Sequence, residues 1–110
     1  MIVTVVKVGD GWHTRDFEVF ETTPDVFLRI KQWLKARISA ERNADLMYIQ
    51  RAIHSAADTD DISMLKERLI EKDQEYNLVL ESLESHTFGN GSAFAFHHIH
   101  TYIIEQKPLL

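Results

Sequence analysis

The spacing of apolar residues between Asp61 and Ser85 constrains this chain more than any other feature. Ile62, Leu65, Leu69, Tyr76, Val79 and Leu83 recur at alternating three- and four-residue steps, with Lys72 filling the one gap. That is a heptad seam, which a helix gathers into one stripe and a strand would scatter over two faces. The spacing predicts a helix of about 25 residues, roughly 37 Å long at 1.5 Å per residue. A compact domain of this size is only ~26 Å across, taking twice a ~13 Å radius of gyration. The seam therefore needs cover along its length, from preceding helices or from a partner subunit.

An earlier helical segment opens at Thr23-Pro24-Asp25, where threonine can cap, proline suits the first helical position and aspartate suits the positive helix end. Val26, Phe27, Ile30, Trp33, Leu34 and Ile38 follow at helical spacing. Leu46, Ile49, Ile53 and Ala56 form a second stripe out of register with the first. The phase change predicts a break or kink between Ser39 and Asn43, although no glycine or proline intervenes. Ala57-Asp58-Thr59-Asp60 reads as the turn into the last helix.

Both ends read as β-structure. Ile2 to Val8 is rich in β-branched residues, and Gly9-Asp10-Gly11 is a hairpin turn signal leading into a strand over Trp12 to Phe20. Phe17 and Val19 fall on one face and Asp16 and Glu18 on the other, an alternation that fits a sheet with one buried face. After Gly89-Asn90-Gly91, the stretch Ala93 to Glu105 reads as one long strand of 13 residues. Such a strand outruns the two N-terminal ones, and its overhang would leave backbone groups seeking another chain. The expected fold is α+β: a small antiparallel sheet, made of an N-terminal hairpin and a long C-terminal strand, packed against two or three helices in the order β-β-α-(α)-α-β. Residues 1–110 are expected to form a single domain.

Composition excludes several classes. With 45% apolar and 26% charged residues the chain is globular, not disordered. It has no cysteine, which removes disulfides and thiolate metal sites. The N-terminal segment alternates and lacks a basic flank and a cleavage site, and no stretch approaches the ~20 apolar residues of a membrane span. A cytoplasmic location without membrane contact is expected. The net charge of −5 is unevenly spread, with nine acids against three bases over residues 58–84. Arg29, Lys31, Lys35, Arg37 and Arg42 form the one basic cluster, too sparse on an acidic chain to predict a nucleic-acid partner.

The most chemically distinctive stretch is Phe94-Ala95-Phe96-His97-His98-Ile99-His100-Thr101-Tyr102. On a strand, Phe94, Phe96, His98, His100 and Tyr102 share one face. His98 and His100 could then reach one divalent ion, given a third ligand. Gly91, His98, His100 and Glu105 resemble the first motif of the cupins, which would imply a metal site in a β-barrel. The glycine spacing is one residue long, the closing proline and glycine are missing, and five residues after Glu105 leave no room for the second motif. Asp58, Asp60 and Asp61 do not make a calcium loop, because Ser63 stands where its essential glycine belongs. Gly89 and Gly91 precede a strand, not a helix, so they are no phosphate loop.

No catalytic constellation emerges, and no cofactor is expected. The reading that follows is a non-catalytic protein–protein interaction module, a small homodimeric regulator or inhibitor that occludes a partner protein. Phe94, Phe96, His98, His100, Tyr102, Leu69 and Tyr76 are its expected partner or dimer interface. Small acidic proteins of phages and mobile elements offer an analogy. The alternative is a metal-dependent enzyme, or a metal or pH sensor, using His98 and His100.

Overall fold

The computed structural model describes residues 2–9, 13–96 and 100–108. Its elements are β1 (Ile2–Gly9), β2 (Thr14–Glu21), α1 (Val26–Ser55), α2 (Thr59–Ser85), β3 (Ala93–Phe96) and β4 (His100–Pro108). They fall into two compact units, Met1–Trp33 with Ser85–Leu110, and Leu34–Glu84. The expected α+β class holds, with one antiparallel sheet ordered β2-β1-β4-β3. Among the described residues no helix is long and apolar enough to cross a membrane.

In the first unit, β1 and β4 are the central strands. Thr4, Val6 and Val8 of β1 and Tyr102 and Ile104 of β4 are buried, together with Val26 and Ile30 from the start of α1. Trp33 meets Phe20 edge-on at 5.8 Å and Tyr102 edge-on at 6.4 Å, so the first turns of α1 lie over this inner face. Thr4 is the one buried polar side chain of the described core, and its hydroxyl is satisfied by the Thr22 hydroxyl at 2.9 Å.

The expected single strand from Ala93 to Glu105 is instead two strands. The chain reverses between Phe96 and His100, which pair with each other, and Phe94 pairs with Tyr102. An aromatic, β-branched sequence is equally suited to one strand or to two, and no glycine or proline marks the reversal. The fold-back removes the overhang, one of the two features, with the long α2 seam, on which the expected self-association rested. The turn before β3 is held by Gly91, at φ 84°, whose N–H donates to the Ile104 carbonyl at 2.8 Å.

The β1–β2 pairing shifts register between Val8 and Gly9. The expected Gly9-Asp10-Gly11 turn falls partly outside the described residues, but Gly9 itself has a clear role. A Cβ placed there would lie 2.3 Å from the His13 carbonyl oxygen. Gly9→Ala is therefore expected to destabilise the sheet by about 1–3 kcal/mol, seen as a lower denaturation midpoint. An unchanged midpoint would mean the backbones do not approach this closely.

The second unit holds the remainder of α1 and nearly all of α2. The heptad seam is confirmed at each position. Ile62, Leu65, Leu69, Lys72 and Val79 are half-buried, and Tyr76 and Leu83 are buried. Asp58 caps the helix, its carboxylate accepting the Asp60 N–H at 2.9 Å. The break expected between Ser39 and Asn43 does not occur, since α1 runs unbroken through it. Polar cross-links replace apolar packing where the stripe is interrupted. The Arg42 Nε donates to Asp73 at 3.0 Å, with a second bond from the same guanidinium, and the Tyr76 hydroxyl donates to Asp45. Residues 39–45 contain no glycine or proline, and Ala40, Glu41, Arg42 and Ala44 are good helix formers, so nothing local stops the helix.

Candidate functional site

The strand registers place two faces on the sheet, because residues directly opposite each other share a side. The inner face aligns Asp16, Val8, Tyr102 and Phe94 in one row, and Glu18, Val6 and Ile104 in the next. The outer face aligns Phe17, Lys7, Ile103 and Ala93, then Val19, Val5 and Glu105, then Glu21, Val3 and Lys107. Phe17 and Val19 thus lie on the outer face, whereas Asp16 and Glu18 share the inner side at the exposed rim. Alternation within β2 correctly separates the two pairs but cannot say which faces the core. That depends on pairing with β1, and a slip of one residue would invert every side chain.

The outer face gathers several exposed apolar side chains. Phe17 is 62% exposed, Val19 49% and Ile103 37%. Val3 and Val5 are half-buried between them. A single charged cluster interrupts it. Glu105 accepts Lys7 at 3.0 Å and Lys107 at 3.2 Å. These hydrogen bonds, the one from Lys7 foremost, hold the Glu105 carboxyl below its ordinary range, and the bond to Glu105 raises Lys7. Two lysines against one carboxylate leave the cluster with a single net positive charge, so the apolar side chains of β2 stand beside a largely charge-paired ridge.

The residues expected to form an interface are distributed differently. Phe94 and Tyr102 are buried in the first unit, and Tyr76 is buried in the second with its hydroxyl on Asp45. Leu69 is half-buried along the seam. Phe96 and His100 are placed as backbone partners at the end of the β3–β4 ladder, and His98 lies outside the described residues. Among the described residues no group of three or more histidines and carboxylates could hold a metal ion. Nearby, His86 stacks edge-on against Phe88 at 4.7 Å and Phe94 at 5.5 Å, as part of an aromatic cluster.

The second unit offers an open groove of about 360 Å³ lined by Tyr48, Ile49, Ala52 and Leu65, with Arg68 and Lys72 at its rim. Tyr48 is 76% exposed there. Asp45, also in the lining, is already engaged by Tyr76. The groove therefore has apolar walls and rim cations, but no convergent set of acid, base and nucleophile.

Sequence reasoning missed the outer face of the sheet. The signal was present in β1, where both alternating sets carry valines: Val3 and Val5 on one side, Val6 and Val8 on the other. A strand with one solvated face would carry polar residues on alternate positions. Set against known proteins, the chain matches no family model, no curated protein and no solved structure.

Proposed function

We propose that the chain is a non-catalytic protein–protein interaction module, a small regulator or inhibitor that occludes a partner protein and acts as a homodimer. The observation that carries this reading is the outer sheet face. Phe17, Val19 and Ile103 stand exposed on a sheet whose other face already supplies the core. Lys7 of β1 lies between Phe17 and Ile103, while Val5 of the same strand continues the apolar run from Val19; apolar residues gathered on one face mark interaction surfaces, whereas scattered ones need no explanation. The paired charges of Lys7, Glu105 and Lys107 supply a polar element beside this patch, as rims do in protein interfaces.

The test is capture of protein from extract of the native host by the tagged chain, with the captured partner identified by mass and its binding then measured with purified components. The double substitution Phe17→Ser and Val19→Ser is expected to weaken binding by at least about tenfold while leaving the circular dichroism spectrum unchanged. Undiminished binding of the same partner by the folded double variant would sink the reading.

A further inference from the structure

Among the described residues β2 is an edge strand of the sheet, eight residues long and exposed except at Phe20. The other edge, β3, has four residues, and brevity protects it. The hydrogen-bond phase of the sheet says which backbone groups β2 turns outward. Ile104 of β4 bonds to the turn before β3, its N–H donating to the Ser92 carbonyl at 2.9 Å and its carbonyl accepting the Gly91 N–H at 2.8 Å. It therefore turns its backbone away from Val6, its opposite number on β1. By alternation Val6 bonds to Glu18 on β2, and Phe17 and Val19 turn their N–H and C=O groups to the open side. The Phe17 N–H agrees with that phase, since it donates to the carboxylate of its neighbour Asp16 at 2.8 Å.

We propose that β2 accepts an extended segment of the partner protein as an added strand, and that this segment alternates apolar residues with lysine or arginine. This rests on the interaction-module reading above and names the partner's chemistry. Phe17 and Val19 each exchange two backbone bonds with the added strand, which runs antiparallel to β2. Main-chain bonds of this kind serve any sequence, so the side chains select it. The register with β1 sets Phe17 and Val19 on the outer side of β2 and Asp16 and Glu18 on the inner side, and all four are exposed.

A cation opposite Glu18 occupies a non-hydrogen-bonded pair, where side chains approach most closely, and a second cation falls opposite Asp16. The Phe17 N–H then trades the Asp16 carboxylate for the partner's carbonyl, which frees that carboxylate for the second cation. Apolar residues opposite Phe17 and Val19 extend the outer face by one strand. Inner-side charges on an edge discourage pairing with most strands. A strand that brings cations to them escapes this penalty. A second copy of β2 does not, because Asp16–Glu21 contains no cation. The added segment ends level with Phe20, since the Glu21 carbonyl already accepts the Thr23 N–H at 3.0 Å and the Arg29 guanidinium at 2.6 Å.

Two capped synthetic peptides of the same length test this, one alternating valine with lysine and one alternating valine with glutamate. Each is titrated onto the whole isotope-labelled chain and followed by its amide resonances. The lysine peptide is expected to bind, to shift and protect the Phe17 and Val19 amides most, and to leave the β3 edge unchanged. The glutamate peptide is expected to bind at least about tenfold more weakly. Asp16→Lys combined with Glu18→Lys is expected to invert that preference. The chain, at −5, stays net negative after this double change, so inversion reports the strand and not general attraction of a basic peptide. Asp16→Asn combined with Glu18→Gln is expected to cut the preference to about threefold or less with an unchanged circular dichroism spectrum. Equal binding of both peptides, no binding at millimolar peptide, or shifts centred away from β2 would overturn the added strand. So would Phe17 and Val19 amides that become protected in the peptide-free chain as its own concentration rises, which would put a second copy on the edge. A captured partner that ignores both charge variants, yet is lost on Phe17→Ser with Val19→Ser, would sink only the edge pairing. A lysine peptide that binds β2, with no partner captured from extract, would sink only the regulator reading.

Discussion

Tyr76→Ala is expected to lower the unfolding free energy by about 3–5 kcal/mol, and Tyr76→Phe by about 1.5–3 kcal/mol. Both are measured as denaturant midpoints at constant slope. Tyr76 is 1% exposed, so alanine would leave a cavity the size of an aromatic ring. Phenylalanine keeps the ring and removes the hydroxyl that donates to Asp45, leaving a carboxylate without this donor. The pH dependence separates the two contributions. Burial, then the hydrogen bond to Asp45 and the negative charges of Asp45, Glu41 and Glu75, push the Tyr76 phenol well above its ordinary value. The folded state therefore keeps its proton at a pH where the unfolded chain releases it. The associated stability is fully present below about pH 10 and is lost as the pH rises beyond it. Tyr76→Phe should remove this alkaline component while retaining the titration of the other groups. An alkaline loss identical in the wild type and in Tyr76→Phe would contradict the assigned role of the hydroxyl.

That result would also explain why the helical unit was only partly legible in the sequence. The α2 seam was readable because its periodicity depends on one element alone. Even Lys72, the odd residue of the stripe, occupies the half-buried position that the heptad gives it. The continuity of α1 was not readable from apolar spacing. Glu41, Arg42 and Asp45 interrupt that spacing, and Arg42 and Asp45 find their partners only on α2. Asp73 and Tyr76 lie 31 residues away from Arg42 and Asp45. A polar bridge of that separation has no local signature, whereas an apolar stripe does. The absence of glycine and proline through residues 39–45 was the better guide there.

The sheet shows the same division. Strand identity followed from β-branched and aromatic content. Three things needed tertiary information: the reversal between Phe96 and His100, the register slip at Gly9, and the choice of inner face for β2. The last of these moved the candidate site. Phe94 and Tyr102, prominent as aromatic residues of the histidine-bearing stretch, are spent on the core. Phe17 and Val19, read as one face of the N-terminal hairpin, stand on the surface.

Tyr102→Ala is accordingly expected to cost about 3–5 kcal/mol, and Phe17→Ala only about 0.5 kcal/mol. Both are aromatic strand residues, so composition and propensity predict similar losses. Burial separates them. Tyr102 is fully buried on central strand β4, edge-on to Trp33 and opposite Val8 and Phe94. Its removal empties a site bordered on several sides, which backbone relaxation cannot refill. Phe17 sits on edge strand β2 with 62% of its surface in water, so truncation removes little buried area and leaves no cavity. A Phe17→Ala cost matching that of Tyr102→Ala would mean that β2 is turned over, with Phe17 inside and Asp16 and Glu18 outside. The outer apolar face would then disappear, because it depends on the single register that sets Phe17 opposite Lys7.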